Sequence, residues 1–255
     1  MDLCGKVVLI TGGRRVGGEL APMLAGRGAS VALTYKTSRE AIGRTVAEVE
    51  AAGGSALAVE ADLARPDQAE AAVEATVARF GRLDVLVNMA SVFEKTPFDD
   101  LTPAHFDAMI AANLAAPYHA AIAAARQMRR QVGEVGLNGK IINVGDWATE
   151  RPSKGCLPYI VAKGGLTTLT LALAVELAPE IHVNMIQPAM IAPPPGLSEA
   201  DRAAILAATP VRRSGTPGDV NRLILFLLEG TDFVTGACYR VDGGRFLGED
   251  TPLDG

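Results

Sequence analysis

Short, almost continuously apolar runs alternate with longer amphipathic windows along this chain, and that alternation limits the fold more than any other feature. The runs are "KVVLIT" (6–11), "ASVALTY" (29–35), "SALAVEA" (55–61), "LDVLVN" (83–88), "GKIINV" (139–144), "IHVNMIQ" (181–187) and "GACYRVD" (236–242). They read as strands, and their near-continuous apolar character predicts burial on both faces, as in a parallel sheet. Windows near 17–27, 38–52, 66–80, 103–131, 157–178 and 217–229 carry helical spacing. Parallel neighbours cannot be joined by a tight turn, so each helix becomes a right-handed crossover. The expected fold class is α/β, a doubly wound parallel sheet with helices on both faces.

At 255 residues and 49% hydrophobic, the chain can bury its core as one domain, 1–255. The proline-rich "APPPGLS" (192–198) has too little chain after it to link a second domain, and is read as part of a substrate loop over the site near 190–212. The net charge of −5 argues against a polyanion-binding surface, so no nucleic-acid partner is expected. The opening "MDLCGKVVLITGG" is too short an apolar run for a signal peptide or a span. No membrane partner and a cytoplasmic location are expected. Cys4, Cys156 and Cys238 form no CxxC, and His105, His119 and His182 have no ligand spacing. No metal is expected, and the thiols are read as idle in a reducing compartment.

In "LITGGRRVGGELAPMLAGRGASVALTY" a strand runs into a glycine-rich turn, then a helix, then a second strand. Gly12, Gly13, Gly17 and Gly18 let backbone approach a ligand, and the helix N-terminus offers unpaired N–H groups and positive dipole to a phosphate. That context predicts a dinucleotide site. An NAD site has an acidic residue after the second strand for the ribose 2′-hydroxyl. Here the chain reads Thr34, Tyr35, Lys36, Thr37, Ser38, Arg39, with no carboxylate before Glu40, and Arg14 and Arg15 lie in the glycine loop. Cations and hydroxyls without an acid suit a 2′-phosphate, so NADPH/NADP is the expected cofactor. The alternative is that Lys36 and Arg39 are ordinary solvated charges.

"IINVGDWATERPSKGCLPYIVAKGG" (141–165) places Asp146 just past a strand, Tyr159 thirteen residues later, and Lys163 four beyond that. Tyr159 and Lys163 share one helical face. A phenol near its reference pKa of ~10 is a poor acid–base group at neutral pH, and a nearby ammonium is expected to lower that pKa. The pair therefore reads as a proton donor.

With "TGGRRVG" (11–17), "ADL" (61–63), "VNMAS" (87–91), "NLAAPY" (113–118), the YxxxK of Tyr159 and Lys163, "VNMIQP" (183–188) and "TGACYRVDGG" (235–244), the chain resembles the short-chain dehydrogenase/reductase family over essentially its whole length. The resemblance implies one Rossmann-like domain with strand order 3-2-1-4-5-6-7, and a homotetramer. It implies that Tyr159 donates the proton, that Lys163 holds the nicotinamide ribose and tunes Tyr159, and that Asn113 supports a water relay to Lys163. Asp62 and Asn88 are implied near the adenosine half of the cofactor, and Val16, Leu63, Ala90, Pro188 and Ile191 are implied as further cofactor-binding residues.

Two departures stand out. The glycine loop is one residue shorter than the usual family spacing from Thr11 to Gly28. Most members carry serine at the position of Asp146. Serine donates to a carbonyl oxygen, whereas an ionised aspartate only accepts, which suits a substrate bearing N–H donors; the alternative is an aspartate of raised pKa that relays protons. "TGGRRVG", "VNMASVF", "NLAAPY" and "NVGDWATERP" resemble the pteridine reductases, bacterial dihydromonapterin reductases among them, where an aspartate replaces that serine. By that resemblance Phe93 stacks on a pterin, and Arg15 and Ser91 line the cofactor phosphates and the pterin edge. For Phe93 the alternative is packing under a neighbouring loop. Trp147 has two readings, pocket wall or core cap. Met89 replaces the subgroup's second asparagine, and Ala189 and Pro193 replace a glycine and a threonine after the sixth strand.

The leading expectation is an NADPH-dependent reductase of a pterin-like small molecule. A ketoacyl-type carbonyl reductase and a non-catalytic NADP(H) sensor are the alternatives. Asp146 argues against the first, and the Asn113, Tyr159, Lys163 set against the second.

Overall fold

A computed structural model of the chain describes residues 1–131, 136–191 and 198–248. Seven parallel strands, β1 (Val7–Thr11), β2 (Ser30–Tyr35), β3 (Ser55–Glu60), β4 (Val85–Asn88), β5 (Gly139–Val144), β6 (Ile181–Pro188) and β7 (Cys238–Val241), form one sheet in the order β3-β2-β1-β4-β5-β6-β7. The helices are α1 (Val16–Ala25), α2 (Arg39–Ala51), α3 (Pro66–Phe80), α4 (Pro103–Ile110), α5 (Ala116–Arg129), α6 (Leu157–Leu177), α7 (Glu199–Ala207) and α8 (Pro217–Leu225). The expected strand order and layering hold.

Two apolar clusters, one on each face of the sheet, explain why the central strands lack alternation. Val8, Ile10, Val31, Leu33 and Val87 meet Leu20 and Leu24 of α1 and Val220 and Ile224 of α8. Val7, Leu9, Leu86 and Ile141 point the other way, onto Ala120, Ala121 and Ala124 of α5 and Leu173 of α6. The alanines of α3 and α5 let these helices lie close together and on the sheet. Burial on both faces does not extend to the edges: in β3 only Ala56 is buried, and β7 is nowhere fully buried. An edge strand has a neighbour on one side only, so fewer of its side chains are covered.

The window 103–131, which reads as one helix, is divided. Between α4 and α5 the residues Ala111–Ala115 take a π-helical turn. Pro117 follows in the first turn of α5, where its missing N–H costs least. Such a bulge turns one residue out of register, and Asn113 within it is fully buried. A helix, α7, lies within the stretch near 190–212 that reads as a loop, its N-terminus capped by Ser198, whose hydroxyl accepts from the Asp201 amide. Residues 192–197 of the "APPPGLS" stretch, Pro193 among them, fall outside the described residues.

Pro103–Arg129 and Leu157–Leu177 have the length and hydropathy of membrane spans, and each lays part of its apolar surface against the protein interior. Phe106, Tyr118, Leu157, Val161, Leu171 and Val175 remain exposed.

Candidate active site

The strand order reverses between β1 and β4, and a crevice opens where the connections leave those two strands on opposite sides of the sheet. There the carboxyl ends of β1, β2, β4 and β5 border a cleft of about 1750 Å³. Gly12, Arg14, Arg15, Val16, Gly17, Tyr35, Lys36, Thr37, Asp62, Leu63, Ala90, Ser91, Asp146, Tyr159, Lys163, Pro188 and Ile191 all line it. Residues from six strand ends and loops thus converge on one site.

At the phosphate end, the shortened loop passes from β1 to α1 through residues 12 to 15. Gly12 has φ +71°, and a Cβ there would stand 3.0 Å from the Ala90 Cα. A side chain at Gly17 would stand 2.8 Å from the Met89 sulfur. Thr11 fixes the facing strand end, its hydroxyl accepting from the Met89 and Ala90 amides at 3.1 and 3.2 Å. Arg15 occupies the N-cap of α1 without a side-chain hydrogen bond to the helix. The first N–H groups of α1 therefore have no side-chain cap, beside a turn that only glycine fits. This cradle suits the pyrophosphate of a dinucleotide.

Around the end of β2, carboxylates do approach, although none lies in the local sequence. The Lys36 ammonium pairs with Asp62 at 2.7 Å, holding that carboxyl below its ordinary range. Arg39 pairs with Glu60, to which the Tyr35 hydroxyl also donates at 3.2 Å. Arg14 and Arg15 form no ion pair among the described residues.

At the other end, Asp146 caps the short turn Trp147–Thr149, its Oδ1 accepting from the Ala148 amide at 2.8 Å. Its main-chain oxygen accepts from the Thr149 hydroxyl, which the buried Gln187 touches from β6. The remaining oxygen, Oδ2, accepts from the Tyr159 hydroxyl at 2.7 Å. Tyr159 rises from the first turn of α6 and is 6% exposed. Phe93 meets its ring edge to face at 5.0 Å and is itself 62% exposed, so it is not packed under a loop; it is not among the residues that line the cleft, although Val92 and Glu94 on either side are. The Lys163 ammonium donates to the Val144 carbonyl at 2.9 Å and lies 5.9 Å from the Tyr159 ring centre.

The electrostatics correct one expectation. Burial pushes the Tyr159 phenol up, and the adjoining Asp146 carboxylate pushes it further, with only Ser91 acting in the other direction. Lys163 does not lower it in this arrangement: burial brings Lys163 itself down to about 8. The shift from 10.5, burial partly offset by the Asp146 carboxylate, amounts to a net cost of roughly 3 kcal/mol. The fold carries that cost below about pH 8 and is relieved of it as the pH rises toward 10.5.

Asn88 and Asn113 do not line the cleft. The Asn88 amide donates to Asn143 at 3.0 Å and to the Pro117 carbonyl at 3.3 Å, joining β4, β5 and α5. Asn113 accepts from the Ser91 hydroxyl at 2.7 Å and donates to the Val92 carbonyl at 2.9 Å. Both side chains therefore hold the cleft wall from behind. Trp147 does not line the main cleft; it borders a second, smaller cavity of about 460 Å³ that shares Ala189 with it. Glu60, Gln187 and the Val144 carbonyl were not marked by the sequence. For Glu60 a signal exists: in parallel register it stands opposite Tyr35. Among the described residues, no group of three or more His, Cys, Asp or Glu side chains could hold a metal ion.

Fold and cleft define a dinucleotide-dependent oxidoreductase of the Tyr–Lys type. Residues 13–245 match the model of a family described as enoyl-(acyl carrier protein) reductase. An uncharacterized oxidoreductase of Methylorubrum extorquens is 34% identical over 94% of this chain and 97% of its own. A 3-oxoacyl-[acyl-carrier-protein] reductase of Synechocystis is 33% identical over 96% of this chain and 98% of its own. Among solved structures, a short-chain dehydrogenase of Burkholderia cenocepacia in complex with NADP superposes with TM-score 0.87 at 34% identity, covering 96% of this chain and 100% of that one. The chain belongs to the short-chain dehydrogenase/reductase family and is an NAD(P)-dependent oxidoreductase.

Proposed function

We propose that this protein reduces a pterin or dihydropterin with NADPH. The observation that carries the reading is the Asp146 carboxylate in the reaction cleft, 2.7 Å from the Tyr159 hydroxyl. Oδ1 is committed to the Ala148 amide, which leaves Oδ2 as the acceptor facing substrate. A pterin presents an amino group and ring N–H donors along one edge, which match a carboxylate. A simple ketone presents only an acceptor, which a carboxylate repels. Phe93, exposed beside the Tyr159 ring, offers a ring for a flat heterocycle.

NADPH would supply a hydride to a C=N bond; the glycine turn, Arg14, Arg15 and Lys36 would hold its phosphates, and Lys163 its nicotinamide ribose. With its pKa raised, Tyr159 keeps its proton at neutral pH and is a donor in the resting site. A substrate N–H that takes over Asp146 Oδ2 frees the Tyr159 hydroxyl to turn toward the reacting nitrogen. Asn113 supports the water relay to Lys163 by fixing the Ser91–Val92 wall. The exposed apolar residues of α4, α5 and α6 support self-association, in keeping with a homotetramer. A ketoacyl-type carbonyl reductase is the second reading, favoured by the name of the Synechocystis relative. NADPH consumption by the wild-type protein with a panel of pterins and a β-ketoacyl thioester separates the two: the first reading requires faster turnover of a pterin.

Cofactor preference follows from Arg14 and Arg15, cations without a carboxylate partner among the described residues. NADPH is expected to bind at least about tenfold tighter than NADH, or roughly 1.4 kcal/mol. Fluorescence titration checks this, and equal dissociation constants contradict it.

The pH profile follows from Lys163. Its ammonium is present below about pH 8 and lost above it. If the charge is needed, kcat/KM with a dihydropterin is flat near neutrality and falls tenfold per pH unit well above 8. A profile level to pH 10 assigns Lys163 no charged role.

A further inference from the structure

The end of β2 carries two cations, and both are already engaged by carboxylates from the end of β3. Lys36 holds Asp62, and Arg39 holds Glu60. Parallel register brings this about, because Tyr35 stands opposite Glu60. Asp62 has local duties as well: its Oδ1 accepts from the Ala64 amide, and its own amide donates to Gln68. Glu60 has none of that kind. Its contacts are Arg39 and the Tyr35 hydroxyl, and Arg39 in turn lies over the Tyr35 ring at 5.7 Å. Both members of the pair are well exposed, 76% for Arg39 and 57% for Glu60, so the pair is cheap to open.

We propose that Glu60 is an internal competitor for the cofactor's 2′-phosphate: it occupies Arg39 when the site is empty and must give it up, or share it, when the phosphate arrives. This rests on the reading that the cleft takes NADPH. A 2′-phosphate on the adenosine ribose belongs beside Tyr35 and Lys36, the residues of the β2 end that line the cleft. Arg39 and Glu60 do not line the cleft themselves; both reach its edge through Tyr35, whose hydroxyl donates to Glu60 and whose ring lies under Arg39, so a phosphate beside Tyr35 comes within range of both charges. Like charges at this range repel, and an arginine prefers the bidentate geometry of a phosphate to a single exposed carboxylate oxygen. NADH presents a 2′-hydroxyl at this point, from which Glu60 can accept, but a hydrogen bond to so exposed a carboxylate contributes little, so losing it leaves NADH nearly unchanged and does not tighten it. Glu60 therefore lowers the discrimination that the cations alone would give, and makes it salt-dependent.

The test is a binding titration, independent of turnover. Dissociation constants for NADPH and NADH are measured by fluorescence for wild type, Glu60→Gln, Arg39→Gln and the double variant. Glu60→Gln is expected to tighten NADPH roughly three- to tenfold at low salt, and less at high salt. NADH should move by less than about twofold. In the Arg39→Gln background the part of the gain that comes from the freed guanidinium should vanish, leaving only the relief of repulsion between Glu60 and the phosphate. NADPH binding unchanged or weakened by Glu60→Gln, or NADH tightened equally, overturns the proposal. Wild-type constants judge the cofactor reading separately. A strong wild-type NADPH preference with an inert Glu60→Gln removes the competitor and keeps the reading. No wild-type preference, together with a tightened Glu60→Gln, does the reverse.

Discussion

Tyr159→Phe is expected to lose turnover by on the order of a hundredfold or more, the typical contribution of a positioned general acid. The ring stays, so the edge-to-face contact with Phe93 is kept and the cleft should hold its shape. What disappears is the hydroxyl that donates to Asp146 Oδ2 at 2.7 Å. NADPH binding should change little, because the glycine turn, Arg14 and Arg15 are untouched. Single-turnover kinetics with a dihydropterin, alongside cofactor titration, check both halves. The raised pKa sharpens the expectation. A phenol held protonated by burial and by a carboxylate neighbour is a ready donor but a poor base. The variant should therefore hurt reduction at neutral pH, where the donor is needed. Near-normal turnover in Tyr159→Phe would assign the proton to another group, with Asp146 the first candidate.

Much of this site was legible in the sequence because its parts are local. The glycine turn, the i, i+4 Tyr–Lys pair and the Asp146 spacing each lie within one stretch of chain, and the structure gathers them in one cleft. The strands were legible because the sheet is buried on both faces at its centre, which leaves a continuous apolar run. At the edges that logic weakens, and β3 and β7 are more open than such runs imply. What stayed hidden depends on register between distant segments. The absence of an acid after β2 was read from neighbouring residues, yet Glu60 and Asp62 reach the same place from β3. Asn113 appears in a window with a plain helical pattern, and only the π turn ahead of Pro117 accounts for its burial and its hold on Ser91 and Val92. The sign of the Tyr159 shift was hidden too. It depends on burial and on a carboxylate thirteen residues away, against a lysine whose own charge is weakened by burial.

Asp146→Ser tests the central claim, that this carboxylate selects a substrate with N–H donors. Serine can still cap the Trp147–Thr149 turn, so the local fold should survive the change. It also turns an acceptor-only group into one that can donate to a carbonyl. A buried substrate donor left without its acceptor costs about 1–3 kcal/mol, so kcat/KM for a dihydropterin should fall roughly five- to a hundredfold. Activity on a small ketone or a β-ketoacyl thioester should appear or rise. A general loss of stability lowers both activities and cannot move them in opposite directions. The deciding measurement is therefore kcat/KM for a dihydropterin and for the ketone, in wild type and in Asp146→Ser, at one saturating NADPH concentration. The account predicts that wild type favours the dihydropterin and that the variant shifts preference toward the ketone. A wild type that already favours the ketone, or a variant whose pterin turnover is unchanged, would contradict it.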